Sequence, residues 1–336
     1  MKVIDQYSWS FLSPVIAMGL MGLSLLLYVI LDGYVLGIGV LSRYFSKEDK
    51  DRLVNTVAPF WDANQTWLVL GVGLLIVCFP LAQGVVLGKL YIPVVIMLIG
   101  LIVRGVSFEF RAKFEEHKDI WNSAFHISSV VVSFSQGVML GQYVTGLSPS
   151  FVTICFSILT GFCLVFGHIL LGSSWLIIKS SGDIHSKAIC WAKRGVVGTA
   201  LGVAAISVVT PVVSYTILEK WFRFPNVILL MPIPLVTAGL FLFVWFHLRS
   251  LSESGDHRCS IWPFWGTVLI FFMSFIGLAY SLFPYLVMDQ INIWDAAAAT
   301  QSLNFIFIGA AIVLPLVFVY TGYVHTVFKG KLGNLY

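Results

Sequence analysis

The chain is a series of long apolar runs separated by short polar connections. A helix that crosses a bilayer needs ~20 mostly apolar residues, and nine runs reach this length when flanking charges mark their ends. The pattern therefore predicts an all-α integral membrane protein with nine transmembrane helices. The predicted spans are approximately residues 11–42, 66–88, 90–108, 121–146, 150–178, 195–217, 227–248, 263–287 and 303–328.

Prolines and glycines inside these runs predict how the helices bend and pack. Pro80, Pro284 and Pro315 lie within apolar runs, where we expect them to kink their helices. Two glycines four residues apart let helix backbones approach closely, either within one bundle or at a docking face for another membrane subunit. Such pairs are Gly33 and Gly37, Gly84 and Gly88, Gly137 and Gly141, and Gly198 and Gly202.

Composition narrows the class of protein. Hydrophobic residues make up 58% of the 336 residues and charged residues 11%, whereas a soluble domain is about 25% charged. This leaves no room for a separate soluble domain, so we interpret residues 1–336 as a single polytopic membrane domain. The five cysteines are scattered, and no C-x-x-C or C-x-x-C-H sequence occurs, so neither a thiol redox motif nor a covalent haem site is indicated.

The distribution of Lys and Arg predicts the orientation of the chain. Fifteen of these residues lie in the connections after spans one, three, five and seven or at the C-terminus, and four lie on the opposite side. Because cytoplasmic loops carry the excess of Lys and Arg, we expect a periplasmic N-terminus and a cytoplasmic C-terminus. The four on the periplasmic side are Lys2, Lys89, Lys220 and Arg223.

An acidic residue stands where a polar connection meets the second apolar run. Residues 55–67 read N-T-V-A-P-F-W-D-A-N-Q-T-W and place Asp62 between Trp61 and Trp67, with Asn64 nearby. A carboxylate in the first turn of a helix interacts favourably with the helix dipole, which is a purely structural interpretation. The functional alternative is that an acid at the cytoplasmic boundary takes up protons.

Three further charges lie in or near the apolar runs. Asp32 is ten residues before Ser42, which places it roughly 15 Å below the cytoplasmic end of its span. It is either a structural acid paired with a neighbouring helix or a carboxylate on a proton path. Arg104 and Glu109 lie near the end of the third span, and we expect a structural role there, with Arg104 forming a salt bridge to Asp32 or Asp62.

Candidate haem and metal ligands are weak. His126 and His168 are the candidate axial ligands within spans, but counting from the cytoplasmic ends of their spans separates them in depth by roughly 7 Å. Each is better interpreted as a hydrogen-bonded packing residue. No H-x-x-x-H pattern, Gly-rich phosphate loop, serine triad or nucleic-acid motif occurs.

Ordered motifs along nearly the whole chain nevertheless carry a family resemblance. The chain resembles subunit II of the bd-type quinol oxidases of bacterial respiratory chains, and in particular the branch often called cyanide-insensitive oxidases. The motifs are L-D-G-Y-V-L-G-I-G at 31–39, N-T-V-A-P-F-W-D-A-N-Q-T-W-L-V-L-G at 55–71, F-P-L-A at 79–82, G-L-I-V-R-G-V-S-F-E-F-R-A-K at 100–113, H-I-L-L-G-S-S-W-L-I-I-K at 168–179, F-P-Y at 283–285, W-D-A at 294–296 and P-L-V-F-V-Y-T at 315–321.

The resemblance implies a fold, an activity and a partner. It implies two four-helix bundles plus one peripheral helix, in the bacterial inner membrane. The complex would oxidise quinol, reduce oxygen to water and build a proton gradient by cytoplasmic proton uptake without pumping. Two haem b groups and a haem d, or a b-type variant, would belong to subunit I, so this chain alone would bind no cofactor. Small single-span subunits and a structural quinone or lipid are compatible with the resemblance, although no motif places them.

The resemblance also implies roles for individual residues. Asp62 matches an aspartate at a proton-entry path, Asp32 would relay protons or stabilise the fold, and Trp67 matches a tryptophan near an oxygen route. Trp61, Asn64, Arg104 and Glu109 would support these groups.

Two departures from the family pattern bear on these roles. The family's first motif usually reads D-G-F-D-L-G, and Val35 stands here in place of the second acid. A proton route through that second carboxylate is therefore doubtful. Ala63 replaces a glycine and should alter local packing only slightly.

Two other classes compete with this interpretation. A multi-pass secondary transporter would place a substrate site near the midplane at broken helices, and this chain has few polar residues there. A scaffold subunit would differ from the oxidase interpretation only in whether Asp62 is needed for turnover.

Overall fold

A computed structural model describes residues 8–254 and 260–328. Within these ranges nine helices are long and apolar enough to cross a membrane, which confirms the predicted number and the all-α class. Five residues that entered the counts of charges and cysteines lie outside the described residues, namely Lys2, Arg258, Cys259, Lys329 and Lys331.

The described chain forms fourteen α-helices, nine of which are the spanning helices. The helices are α1 (Trp9–Leu41), α2 (Lys47–Asn55), α3 (Trp61–Cys78), α4 (Pro80–Lys89), α5 (Tyr91–Lys113), α6 (Lys118–Val144), α7 (Phe151–Lys179), α8 (Gly182–Val213), α9 (Tyr215–Phe222), α10 (Asn226–Leu230), α11 (Pro232–Ser254), α12 (Trp262–Leu282), α13 (Ile293–Ala296) and α14 (Thr300–Val327).

The second predicted span is broken into two helices. We expected a kink at Pro80, but α3 ends at Cys78 and a new helix, α4, starts at Pro80. Proline has no N–H to donate and fits the first turn of a helix, so the chain restarts there instead of bending. The carbonyl of Cys78, freed by the break, accepts a hydrogen bond from Ala298 N–H at 2.8 Å.

Two other predicted boundaries were wrong. The eighth spanning helix, α12, ends at Leu282. Pro284 therefore lies in the loop that follows and kinks no helix. That loop forms an antiparallel two-stranded hairpin, β1 (Tyr285–Val287) with β2 (Ile291–Asn292). The sixth spanning helix, α8, begins at Gly182 rather than near residue 195. The charged residues before the apolar run are also helical, and they extend the helix at its start.

The spanning helices pack in two groups. In the first group α1 packs against α3 and α6, and α6 packs against α5. Trp61 of α3 stacks on Phe108 of α5 with ring centroids 5.2 Å apart, which links the remaining two helices. In the second group α7 packs on α8, α8 on α11, α11 on α12 and α12 on α7. Contacts of α1 and α6 with α7 join the groups.

The last helix, α14, lies outside both groups. It packs against α1 and α3, and only 11% of its most apolar stretch is buried. Near one end Asn304 accepts a hydrogen bond from Trp9 Nε1 at 2.6 Å. Near the other end His325 lies over Phe60, with ring centroids 4.6 Å apart. The helix is thus held near both ends, and a ring contact between Phe318 and α3 lies between them.

Most of the predicted glycine pairs mediate close helix contacts. A Cβ added to Gly37 would lie 1.8 Å from the His168 carbonyl oxygen, so the α1 and α7 backbones touch. At Gly137 it would lie 2.5 Å from the carbonyl oxygen of Thr160, where α6 meets α7. In contrast, Gly84 and Gly88 have no other part of the described structure within 4 Å of such a Cβ.

A lysine between α9 and α12 caps the end of a spanning helix. The Lys220 ammonium donates to the carbonyls of Tyr280 at 3.0 Å and Ser281 at 3.4 Å, and also to Phe283 O. These carbonyls at the end of α12 have no partner within the helix. Partial burial lowers the pKa of Lys220 from its usual value.

Candidate functional site

Asp62 lies in the first turn of α3, just after the turn that follows α2. Its side chain is exposed, as are Thr66, Val69 and Ile76 farther along the same helix. These four residues share one face because they are spaced by four, three and seven positions. Asp62 is therefore the single acid at the head of an outward, largely apolar face of α3, and it does not point into the chain.

The residues beside Asp62 attach the start of α3 to its neighbours. Asn64 is buried, and its amide donates to the Leu31 carbonyl at 2.7 Å and to the Tyr34 hydroxyl at 3.1 Å. Both acceptors belong to α1. Trp61 covers Phe108 of α5 in a stacked arrangement. Trp61 and Asn64 thus fix the position from which Asp62 projects.

Trp67 projects from α3 and packs against α14. Only 1% of its surface is exposed, and its ring centroid lies 4.9 Å from that of Phe318. Trp67 Nε1 has no hydrogen-bond partner among the residues that the structure describes. The ring therefore forms an apolar wall whose one polar atom is not engaged by the surrounding protein.

Asp32 and Arg104 form an ion pair inside the first helix group. Arg104 Nη2 lies 2.9 Å from Asp32 Oδ1, and both side chains are completely buried. Of the two partners expected for Arg104, the structure thus selects Asp32. A buried charge is costly unless it is paired, so each of these residues requires the other.

Glu109 does not join this pair. It lies on the surface of α5, 59% exposed, 3.4 Å from Lys113 one helical turn away. Exposed pairs of this kind contribute little to stability. The expected structural role of Glu109 therefore reduces to a surface contact. Val35, which stands in place of a second acid, is completely buried in the apolar core.

Other polar side chains that the sequence did not single out surround the Asp32–Arg104 pair. Gln136 Nε2 of α6 donates to the Tyr28 hydroxyl at 2.6 Å, and that hydroxyl lies beside the Asp32 carboxylate. Tyr28 carries no signal in the sequence, because tyrosine occurs widely in membrane helices. A glutamine within an apolar span was the one available signal, but the side of the helix that it occupies depends on packing.

The two candidate haem ligands do not fit a haem. His168 Nδ1 lies 2.9 Å from Ser133 Oγ, and a Cβ added to Gly33 would lie only 3.2 Å from His168 Nε2. His126 Nδ1 is 3.3 Å from the Gly39 carbonyl. Both rings are thus in contact with α1 or α6. Among the described residues no group of three or more His, Cys, Asp or Glu could hold a metal ion.

Another histidine within a span, His325, did not stand out in the sequence. It lies in α14, and its Nε2 is 3.4 Å from the Tyr34 hydroxyl. Phe60 and Trp175 surround the same ring, with centroid distances of 4.6 and 6.0 Å. Tyr34 in turn stacks on Trp175 at 4.5 Å. This aromatic cluster anchors α14 to the body of the chain.

Comparison with known proteins identifies the family. Residues 13–328 match the family described as cytochrome bd terminal oxidase subunit II. Cytochrome bd-I ubiquinol oxidase subunit 2 of Escherichia coli (strain K12) is 24% identical over 361 residues, covering 93% of both chains. Cytochrome bd ubiquinol oxidase subunit 2 of Bacillus subtilis (strain 168) is 31% identical over 198 residues, covering 54% of this chain and 58% of that one.

A solved structure extends the comparison to the fold. The bd oxidase from Geobacillus thermodenitrificans contains a chain that superposes with a TM-score of 0.70 at 17% identity, covering 92% of this chain and 97% of the other. The same nine-helix fold is thus found in an oxidase of this type. The family match over residues 13–328 favours the oxidase subunit over the secondary transporter. The chain belongs to the cytochrome bd terminal oxidase subunit II family and is a subunit of a respiratory oxidoreductase complex.

Proposed function

We propose that this chain supports a haem-bearing subunit I in a quinol oxidase of the bacterial inner membrane and supplies the cytoplasmic entrance for protons. The complex oxidises quinol and reduces oxygen to water, and the protons consumed in making water enter from the cytoplasm. The names of the Escherichia coli and Bacillus subtilis relatives, both ubiquinol oxidase subunits, support this substrate class. The haems belong to subunit I in this proposal, which is consistent with the poor fit of His126 and His168.

One observation carries the role of Asp62: it is an exposed acid at the head of an otherwise apolar outer face of α3. On an apolar face inside a bilayer, a carboxylate is costly unless water or a partner reaches it. An entrance formed between this face and subunit I supplies both. The proton route then runs along the boundary of the two subunits and not through the interior of this chain.

Asp32 takes the stabilising role and not that of the first proton acceptor. Its carboxylate is completely buried and held against Arg104, whereas Asp62 projects from the opposite side of the contact between α3 and α1. Asn64, two residues after Asp62, faces α1, and residues two apart lie about 200° apart around a helix.

Trp67 of α3 is buried against α14. In the same proposal its ring forms part of an apolar route for oxygen.

The Asp62→Asn variant tests the entrance. A positioned proton-transfer group contributes about 10²–10⁴-fold to a rate, and an entrance that water can partly bypass contributes less, so we expect quinol-driven oxygen consumption to fall on the order of tenfold. The complex and its haem absorption spectrum should remain intact, because an exposed side chain is replaced by one of the same shape.

Asp183→Asn is the matched control. Asp183 is also an exposed acid in the first turn of a spanning helix, at the start of α8, and it shares any favourable interaction with a helix dipole. Its replacement should leave turnover unchanged. Unchanged oxygen consumption in Asp62→Asn would refute the entrance. Equal loss in both variants would assign the effect to helix-start charge.

Purification tests the partnership. Tagged at its C-terminus and extracted in mild detergent, this chain should co-purify with a larger haem-bearing membrane subunit and show a haem spectrum. A chain that purifies alone, without haem absorption, would contradict the proposed complex.

A further inference from the structure

The interior of the first helix group contains several buried polar atoms without partners. Among the residues that the structure describes, none supplies a hydrogen bond of standard geometry to Asp32 Oδ1, Asp32 Oδ2 or the guanidinium nitrogens of Arg104, although Arg104 Nη2 and the Tyr28 hydroxyl both lie close to the Asp32 carboxylate. The two side chains are close enough for an ion pair at 2.9 Å but are not aligned as a hydrogen bond. Nearly all buried polar groups in proteins have a partner.

Two more unpartnered atoms lie around the same pair. Gln136 Oε1 has no donor, although Gln136 Nε2 reaches Tyr28, whose hydroxyl lies beside Asp32. His168 Nε2 has no partner either, and it faces Gly33, the residue next to Asp32. His168 is also within electrostatic reach of Arg104. The four side chains with unpartnered atoms, on α1, α5, α6 and α7, therefore converge on one place.

The unpartnered atoms are complementary in kind. Arg104 offers five N–H donors, whereas the Asp32 carboxylate and Gln136 Oε1 are acceptors. His168 Nε2 is an acceptor when Nδ1 carries the proton and donates to Ser133. Arg104 Nη2 and Asp32 Oδ1 are in direct contact at 2.9 Å, but Arg104 Nε and Nη1, Gln136 Oε1 and His168 Nε2 have no partner among the described residues. A molecule bound among these groups would have to accept from Arg104 and donate to the acceptors.

Charge limits the identity of that molecule. A small anion would be repelled by Asp32, and a small cation would be repelled by Arg104. A neutral molecule that both donates and accepts satisfies all of the groups, and buried water commonly makes about three such hydrogen bonds. We infer that the interior of this subunit holds a site for ordered water, formed by Asp32, Arg104, Gln136 and His168 with Tyr28 at its edge.

Hydroxyl-radical footprinting tests the site, because radicals generated from a bound water oxidise the side chains next to it even when bulk solvent is excluded. The experiment uses X-ray radiolysis of the intact purified complex, followed by mass spectrometry. Tyr28 is 2% exposed and should be labelled. Tyr34, on the same helix and completely buried, is the internal control, because its hydroxyl already contacts Asn64 and His325 in an aromatic environment.

A double variant supplies the second comparison. Asp32→Leu combined with Arg104→Met replaces the ion pair by apolar side chains of similar size, which proteins often tolerate. Labelling of Tyr28 should then fall to the level of Tyr34. Labelling of Tyr28 no higher than that of Tyr34 in the unmodified complex would overturn the inference. Undiminished labelling in the double variant would also overturn it, because the radicals would then come from elsewhere.

High-resolution cryo-electron microscopy of the unmodified complex gives a readout that does not depend on any variant. We expect density for discrete water between the Arg104 guanidinium and both Gln136 Oε1 and His168 Nε2. Direct side-chain contacts filling this space would overturn the inference. Neither outcome depends on Asp62, so the water site and the proposed proton entrance stand or fall separately.

Discussion

Arg104 and Asp32 are the two residues whose removal should cost the fold most. Both are completely buried in the membrane interior, and each is the charge nearest to the other. Removing one partner of a buried ion pair strands an uncompensated charge, whereas replacing both partners by apolar side chains is often close to neutral.

The Arg104→Met variant should therefore be destabilised by about 3–5 kcal/mol. The double variant with Asp32→Leu should recover most of that loss. Thermal unfolding of the complex, followed by its haem absorption, measures both effects. Equal destabilisation by the single and the double replacement would contradict the argument.

Lys113→Met is the control for the Arg104 replacement. Lys113 and Glu109 also form a pair on α5, but on its exposed surface, where such pairs contribute at most about 1 kcal/mol. A similar loss of stability in Lys113→Met and Arg104→Met would show that burial of the ion pair does not determine how much its removal destabilises the complex.

The role of an individual residue could be predicted only where its depth in the bilayer decides that role. Counting residues from the end of α1 placed Asp32 deep in the bilayer, and an arginine in a nearby span was the natural partner. The roles of Tyr28, Gln136 and His325 could not be read in this way, because they depend on which side of each helix faces which neighbour. The sequence also left open whether Asp62 faces inward, and packing directs it outward.

At the scale of elements, α1 and α7 cross with their backbones in contact. At Gly37 the atoms that would meet an added methyl group belong to the α7 backbone, namely the carbonyl of His168 and the amide nitrogen of Gly172 at 2.9 Å. A backbone cannot rotate away as a side chain can. The two helices would have to separate, and they join the two helix groups.

Gly37→Ala should therefore destabilise the complex by at least the ~1–3 kcal/mol typical of overpacking, seen as a lower temperature for loss of the haem spectrum. Gly19→Ala is the matched control on the same helix, because a Cβ there meets no other described part of the chain within 4 Å. Alanine has the higher helix propensity, so Gly19→Ala should be neutral or stabilising. A neutral result at Gly37 would show that α1 and α7 can move apart freely.

Helix existence was predictable because nine long apolar runs leave little alternative in a bilayer. Helix ends were less so. The break between α3 and α4 depends on an external donor, Ala298 N–H, for the carbonyl of Cys78, and hydropathy contains no information about that donor. The early start of α8 was missed for the opposite reason, since charged residues form helices outside the membrane as readily as loops.

At the scale of the molecule, the excess of Lys and Arg at one end of the bundle predicts its orientation. Ser148, between α6 and α7, and Ser181, between α7 and α8, lie at opposite ends of the same spanning helix, and both are exposed. With the native cysteines replaced by serine, a membrane-impermeant maleimide applied to intact spheroplasts should label Ser148→Cys and spare Ser181→Cys.

Permeabilised cells provide the control, because both positions should then react. The reverse labelling pattern in intact spheroplasts would place the C-terminus outside the cytoplasm and contradict the interpretation of the charges. Equal labelling of both positions in intact spheroplasts would contradict the spanning assignment of α7.

The weak attachment of α14 has a consequence for biogenesis. This helix follows the other eight spanning helices that the structure describes, and only 11% of its most apolar stretch is buried against them. Its burial is slight, so the folded chain by itself holds it mainly through its contacts with α1 and α3. We therefore expect a membrane protease that extracts loosely held helices to act first on α14 in a copy of the subunit that lacks its partner.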